Sequence, residues 1–410
     1  MRVFQKTLLV LFIAFGINAK SQDTITVLSY NILNYPISNP TKADTLKPII
    51  KYIQPDIFMI TELTSGAGAT TILNDALNVE GVTFYQKATY FNGPDTDNML
   101  YYNSDKLVLQ SQHEVQTALR NISEYVLYYK ATGMTAASDT IFMYCYMAHL
   151  KASQGTTNEQ RRNQEAILIK NYMDSRTNIE NVFFGGDFNF YSNSLTTEPA
   201  FNTILNGGNV ALLDPISSPG VWHNNTSFSA IHTQSTRAGS LGDGGSFGGM
   251  DDRFDFIFFT SDLETGANKL TYVPGSYKAI GNDGNHYNQS LNAGTNNSAP
   301  ANVIDALYYM SDHLPIVLKA TVPINVGVEE IVTNGKWTGF LVSEYFSFKS
   351  DKREKQLTVF VYDLLGKTVQ QQQYNNSNNF NLSLENLNQG LYFVKVISTT
   401  QQESFKVFKR

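Results

Sequence analysis

The sequence predicts an α/β layered body followed by a small all-β module. Three observations carry this. Apolar strand-like runs alternate with segments of helical period through the first half of the chain. Chemically versatile polar residues stand at the ends of those runs. Beyond Pro323 the period becomes that of strands and turns alone. A length of 410 residues suits two or three domains, and 42% hydrophobic content supports a sizeable core. Aromatic residues make up 12%, mostly Tyr and Phe, as a strand-rich protein requires.

In order, residues 1–21 have the pattern of a secretory signal: basic Arg2 and Lys6, an apolar run over 8–15, and a small-x-small site at Ala19-Lys20-Ser21. The run is too short to span a bilayer, and no later stretch is longer, so no transmembrane segment is expected. Residues 25–30 form a strand ending in Asn31, and 45–53 a helix with Leu46, Ile49, Ile50 and Ile53 on one face. A strand over 57–60 ends at Thr61-Glu62-Leu63, and 71–77 is helical in pattern. Short strands follow over 82–86, 98–102 and 107–110. Residues 125–131 and 140–148 read as a hairpin, with Gly133 and Ser138-Asp139 near its turn and His149 at its far end. Residues 158–173 form a helix, with Ile167, Leu168 and Tyr172 expected inward and Arg161-Arg162 outward. Cys145, the sole cysteine, lies in an apolar run and reads as a buried inert thiol.

The run Phe183-Phe184-Gly185-Gly186-Asp187-Phe188-Asn189 reads as a buried strand entering a tight loop, with Asp187 and Asn189 on one face. Residues 207–250 are loop-heavy, and 239–249 are mostly Gly and Ser. His232, Gln234 and Arg237 just before that stretch are within reach of a substrate, although a solvated loop is the simpler reading. Asp255 opens the next strand, and Asp312-His313 precede the strand over 316–320. Residues 334–410 give alternating segments over 357–362, 380–384, 391–397 and 404–408, a small β-sandwich with no chemical cluster of its own.

Formal charge is −6, yet it is unevenly spread. Three positives lie in 1–21, and ten Lys/Arg against six Asp/Glu make 334–410 about +4. Residues 22–333 therefore carry about −13, with no broad basic face for a polyanion.

Taken singly, each strand-end residue has an ordinary structural reading, such as a turn Asn, a solvated acid, a core His or an Asp255–Arg253 ion pair. Together they suit phosphoester hydrolysis. Asn31, Glu62 and Asp312 offer hard oxygens that suit Mg²⁺ or Mn²⁺. Asp187 can orient and deprotonate a water. His149 and His313 can donate to developing phosphoryl charge, with Asp255 fixing the tautomer of His313.

The blocks Ser29-Tyr-Asn31, Thr61-Glu62-Leu, Ala148-His149-Leu, Gly185-Gly-Asp187-Phe-Asn189, Arg253-Phe-Asp255 and Ser311-Asp312-His313-Leu-Pro resemble the endonuclease/exonuclease/phosphatase superfamily, over about residues 23–321. That resemblance implies a four-layer α/β sandwich of two mixed sheets between helices, and a Mg²⁺-dependent phosphodiesterase or phosphomonoesterase. By motif it places Asn31 and Glu62 at the metal and makes Asp312 the second acid. It makes Asp187 and Asn189 the water- and phosphate-orienting pair, Asp255 and His313 the Asp–His pair, and His149 the phosphate-contacting histidine. Leu33 stands where some members carry a further acid, which shifts metal ligation toward Glu62.

The tail resembles the C-terminal sorting domain of type IX secretion cargo, through Val361-Tyr-Asp-Leu-Leu-Gly366-Lys, Leu384-Glu-Asn-Leu387, Gly390-Leu-Tyr-Phe-Val-Lys395 and the basic end at 405–410. The expected organisation is a signal over 1–21, a catalytic body over 22–321, a linker over 322–333 and a sorting domain over 334–410. The expected protein is an exported monomer, a nuclease-type phosphodiesterase acting on extracellular DNA or RNA. A sphingomyelinase-like or small-phosphoester enzyme is the alternative, and a non-catalytic surface or adhesion protein the rival from another class.

Overall fold

The computed structural model describes residues 22–130, 140–323, 337–342, 344–399 and 401–409. The expected leader, the hairpin turn and linker residues 324–333 lie outside that set.

The body opens with β1 (Gln22–Tyr35), α1 (Lys42–Ile53), β2 (Ile57–Leu63) and α2 (Gly66–Ile72), which runs into a wider turn over Leu73–Leu77. Next come β3 (Tyr85–Lys87), β4 (Asp97–Asn103), β5 (Leu107–Val115), β6 (Ile122–Tyr129), β7 (Phe142–His149) and α3 (Thr156–Ser175). It continues through β8 (Val182–Asp187), α4 (Pro199–Asn206), β9 (Leu212–Leu213), β10 (Asp255–Thr260) and α5 (Asp262–Thr265). It closes with β11 (Thr271–Tyr272), β12 (Lys278–Ala279), α6 (Ala301–Met310) and β13 (Ile316–Pro323).

These strands make two sheets. One runs β11-β13-β1-β2-β4-β3 with β12 on β13, the other β5-β6-β7-β8-β10-β9. Each is mixed: β1 pairs in parallel with β2, and β7 with β8, inside otherwise antiparallel sheets. The central strands are buried on both faces, which explains their near-continuous apolar runs. The sheets stack face to face through Val27, Met59, Cys145, Phe183 and Ile257, so Cys145 is the buried thiol that its context predicted. Helices α1 and α6 cover the first sheet through Leu46, Ile49 and Leu307, and α3 and α4 cover the second through Ile169, Met173, Phe201 and Ile204. The result is the expected four-layer sandwich. Among the described residues no helix is long and apolar enough to cross a membrane.

Two glycines allow close approaches, Gly185 between the sheets and Gly186 between neighbouring strands of one sheet. A Cβ on Gly185 would sit 2.9 Å from Met59 and 3.0 Å from Ser29, across the inter-sheet gap. Gly186 has φ +152°, and a Cβ there would meet the Ala148 carbonyl oxygen at 2.0 Å. Both lie within β8, not in a turn as the sequence suggested.

Helix α3 corrects the expected orientation. Arg162 is fully buried, whereas Ile167 and Leu168 are more than 40% exposed. The Arg162 guanidinium pairs two-pronged with Glu198 (2.9 and 2.7 Å) and donates to the carbonyls of Lys151 and Ser153. A fork so fully satisfied is stable inside, and it wins the inward position from two aliphatic residues.

The tail domain has β14 (Trp337–Val342), β15 (Tyr345–Tyr362), β16 (Thr368–Ser383), β17 (Gly390–Ile397) and β18 (Gln402–Lys409), all antiparallel. A register shift in β15 lets the sheet fold over a core of Phe346, Phe348, Phe380 and Phe405. Lys409, near the basic end, is buried, and its ammonium donates to the carbonyls of Leu384, Glu385 and Leu387.

Candidate active site

Parallel pairing explains why residues far apart in sequence share one rim. Asn31 lies opposite Thr61 at the ends of β1 and β2, and His149 opposite Asp187 at the ends of β7 and β8. β10 runs antiparallel to β8, so its first residue, Asp255, also lies opposite Asp187. β13 runs antiparallel to β1, so Asp312-His313 enter it from the same side.

The side chains meet around Asp187. Its Oδ2 accepts from Asn31 Nδ2 (3.1 Å) and lies 3.4 Å from His149 Nε2 and 3.6 Å from His313 Nε2. Its Oδ1 accepts from the Asn189 backbone (3.2 Å) and carboxamide (2.8 Å). Asn189 reaches it from a left-handed turn at φ +54°, so the i, i+2 spacing works by curling the chain, not by extension. Asn31 Nδ2 also donates to Glu62 Oε1 at 2.8 Å, and the Asn34 N–H donates to Glu62 Oε2 at 3.0 Å. Asp255 Oδ2 holds His313 Nδ1 at 2.8 Å. Glu62, His149 and Asp187 bring ligand atoms within 4.8 Å of one another, as do Asp187, Asp255 and His313.

Burial pushes the Asp187 carboxyl up to about 7, against the pull of His313. Burial likewise raises Glu62, and the Asp312 charge adds to it. Desolvation works against a charged His313, but Asp255, Asp187 and Asp312 outweigh it and lift the ring well above the ordinary histidine value. His149 goes the other way: burial, then the Arg120 charge, hold it neutral.

Asp312 is held from an unexpected direction. Its Oδ2 accepts from the Ser246 N–H (2.8 Å) and from Gln234 Nε2 (3.0 Å), and a Cβ on Gly245 would touch its Cγ at 3.2 Å. The Gly-rich stretch therefore reaches the rim through Gly245 and Ser246 while most of its residues stay exposed, and it is His232 and Arg237 before it, both buried, that are not in the solvated loop the sequence suggested. Asp243 fastens the stretch, pairing with buried Arg237 at 2.7 Å and buried Lys42 at 3.2 Å. Gln234 Nε2 also lies 2.7 Å from His313 Nε2. It donates there only while that nitrogen is bare; a protonated ring becomes a donor and frees the position for an anionic oxygen. His232 turns away and bonds the Trp222 carbonyl.

So the structure gathers all eight sequence-predicted residues, and it adds Gln234, the Ser246 N–H and Arg120. Gln234 had a visible signal in its place before the Gly-rich stretch. Ser246 acts through its main chain, which no side-chain motif reports. Arg120 lies in the β5–β6 connection, and its guanidinium comes within 3.5 Å of the His149 and Leu150 carbonyls.

The endonuclease/exonuclease/phosphatase family matches residues 28–313, and a secretion-system C-terminal sorting domain matches 342–410. No curated protein matches the chain. Similar solved structures include a humanized TDP2 from D. rerio, at 16% identity over 72% of this chain and 98% of that chain, TM-score 0.46. Another is an endonuclease/exonuclease/phosphatase from Beutenbergia cavernae, at 11% identity over 94% and 100%, TM-score 0.45. A third is a beta toxin from Staphylococcus aureus, at 15% identity over 72% and 99%, TM-score 0.43. The chain belongs to the endonuclease/exonuclease/phosphatase family and carries a sorting domain that directs it, through type IX secretion, to the cell surface or outside.

Proposed function

We propose that the body over 22–323 is a divalent-cation-dependent phosphodiesterase that works outside the cell. The observation that carries this is Asp187, held by Asn31 and Asn189 midway between His149 and His313 on one rim.

The residues present fit a hard divalent cation. Burial and the Asp312 charge both raise the cost of ionising Glu62, and Asp312 Oδ1 is buried with no hydrogen-bond partner. Asn31, Glu62 and Asp312 would hold Mg²⁺ or Mn²⁺, which when bound supplies Lewis acidity to a phosphoryl oxygen. The chain's own groups do the rest. Asp187 takes the proton of the attacking water, and Asn189 fixes the rotamer of that carboxylate. His313, kept cationic by Asp255, donates from Nε2 to the phosphoryl oxygens as charge builds. Neutral His149 donates to the same oxygens from the opposite side.

The family resemblance favours nucleic acid as the substrate, in the manner of a nuclease. The acidic charge of residues 22–333 favours the alternative, a small or lipid phosphodiester. A panel of DNA, RNA, sphingomyelin and chromogenic diesters, run with Mg²⁺ and again with EDTA, tests the reading. Turnover of at least one diester is expected, abolished by EDTA and restored by Mg²⁺. Asp187→Ala and His313→Ala should each cost about 10³-fold or more in kcat with the fold intact by circular dichroism. Wild-type rates in either variant would remove the role given to that residue.

A further inference from the structure

The carboxylate of Asp312 is set by a loop that has little shape of its own. Its Oδ2 accepts from the Ser246 N–H at 2.8 Å and from Gln234 Nε2 at 3.0 Å, which leaves Oδ1 buried with no hydrogen-bond partner. Ser246 stands in a stretch, 239–249, in which six of eleven residues are glycine. Glycine gives up more backbone freedom on ordering than any other residue, so this stretch cannot hold one N–H on target unaided. Something must pin it, and its one acid, Asp243, does. We propose that Asp243 is a positioning residue for the cation at Asp312: it clamps the loop so that Ser246 orients that carboxylate, and it thereby sets divalent-cation affinity without touching the cation.

The inference rests on the reading of Asp312 as a cation ligand and adds a residue behind it. Asp243 is held from two sides. Its Oδ1 and Oδ2 both accept from Arg237 Nη1, at 2.7 and 2.8 Å, and Oδ2 lies 3.2 Å from Lys42 Nζ. Both cations are buried. Among the described residues neither has another ion-pair partner, so one carboxylate serves two buried charges. Moving it would strand both, which fixes Asp243 in place. Lys42 is the first residue of α1, so the clamp ties the tip of the loop to that helix as well as to its own base at Arg237. From there it passes directly to the rim: Asp243 Oδ1 accepts from the Gly245 N–H at 3.3 Å, and Ser246 is the next residue. A Cβ on Gly245 would lie 2.8 Å from Leu33 Cδ2 and 3.2 Å from Asp312 Cγ, so the chain there is pressed against both. The remaining ties are neutral. The Gly248 and Gly249 N–H groups donate to the Arg237 carbonyl at the neck, and the Ser235 hydroxyl donates to the Ser246 carbonyl. A clamp that served packing alone would act on stability. One that aims Asp312 acts on cation affinity, and losing a group bonded to a ligand carboxylate lowers metal affinity about 10- to 100-fold.

The test uses the full chain, stripped with EDTA, and calorimetry with Mn²⁺, a readout that needs no turnover. Asp243→Asn should weaken Mn²⁺ binding about tenfold and raise the Mg²⁺ concentration for half-maximal diester cleavage by a like factor, with kcat at saturating Mg²⁺ little changed. Leu241→Ala, at an exposed position of the same loop, should leave both unchanged. Asp243→Asn also strands two buried cations and lowers stability, so Lys42→Met combined with Asp243→Asn is the second variant. With one cation gone, its melting temperature should rise above that of the single variant while Mn²⁺ binding stays weak. Wild-type Mn²⁺ affinity in either variant overturns the positioning role. No Mn²⁺ binding by the wild-type chain overturns the cation reading of Asp312 and the role with it. No turnover of any diester, with Mn²⁺ binding still weakened by Asp243→Asn, overturns the hydrolase reading and leaves the role of Asp243 standing.

Discussion

A carboxylate beside an imidazole does two things: it fixes which nitrogen carries the proton, and it lowers the cost of a second proton. Asp255 does both for His313. The 2.8 Å contact on Nδ1 leaves Nε2 facing Asp187 and Gln234, where a phosphoryl oxygen would lie. Asp255→Asn separates the two effects, because a carboxamide oxygen can still accept from Nδ1 but no longer favours the imidazolium. We expect kcat to fall about 10²- to 10⁴-fold with KM little changed and the fold intact, measured by steady-state kinetics and circular dichroism. The backbone here also departs from the ordinary. Leu33, Asn34, Glu62 and Asn189 all have positive φ without being glycine. Such residues cost about 1–3 kcal/mol each, and they gather where side chains must be aimed.

At the scale of elements, the strands were legible because burial on both faces writes an unbroken apolar run, and parallel register then lines up whatever follows it. That is why Asn31, Glu62, His149 and Asp187 could be read as one rim. Helix α3 was not legible. Its inward face is decided by Glu198, 36 residues beyond Arg162, and no local period reports a partner at that distance. The loop over 232–250 stayed opaque for a similar reason: Asp243 reaches Lys42, and the Ser246 main chain reaches Asp312. The adjacent arginines of α3 now make opposite predictions. Arg162→Met strands Glu198 as a buried unpaired charge and should cost about 3–5 kcal/mol. Arg161→Met, on the exposed face, should stay within about 0.5 kcal/mol. Urea denaturation of both variants checks the pair, and equal stabilities would mean that Arg162 is not the anchor of this helix.

For the molecule as a whole, charge is divided along the chain, and the division can be read in solution. Residues 22–333 carry about −13 and residues 334–410 about +4. The body and the tail domain each have a hydrophobic core of their own, so the body should fold without the tail. DNA is the most sensitive probe, since its affinity for a basic face falls about 10³- to 10⁵-fold between 50 and 200 mM salt. An acidic body reverses the sign. Screening lifts repulsion instead of releasing counterions, and the Debye length near 0.15 M is about 8 Å, short enough to quiet charges away from the rim. DNA cleavage by a 22–333 chain should therefore hold level or rise over that salt range. The full chain should bind DNA more tightly than the 22–333 chain at low salt only, because its tail supplies the positive charge. Fluorescence anisotropy with a short labelled duplex, read beside the cleavage rate, measures both. A steep loss of affinity in the 22–333 chain would reveal a local basic track that outweighs the net charge, and with it a nuclease steered by its own body.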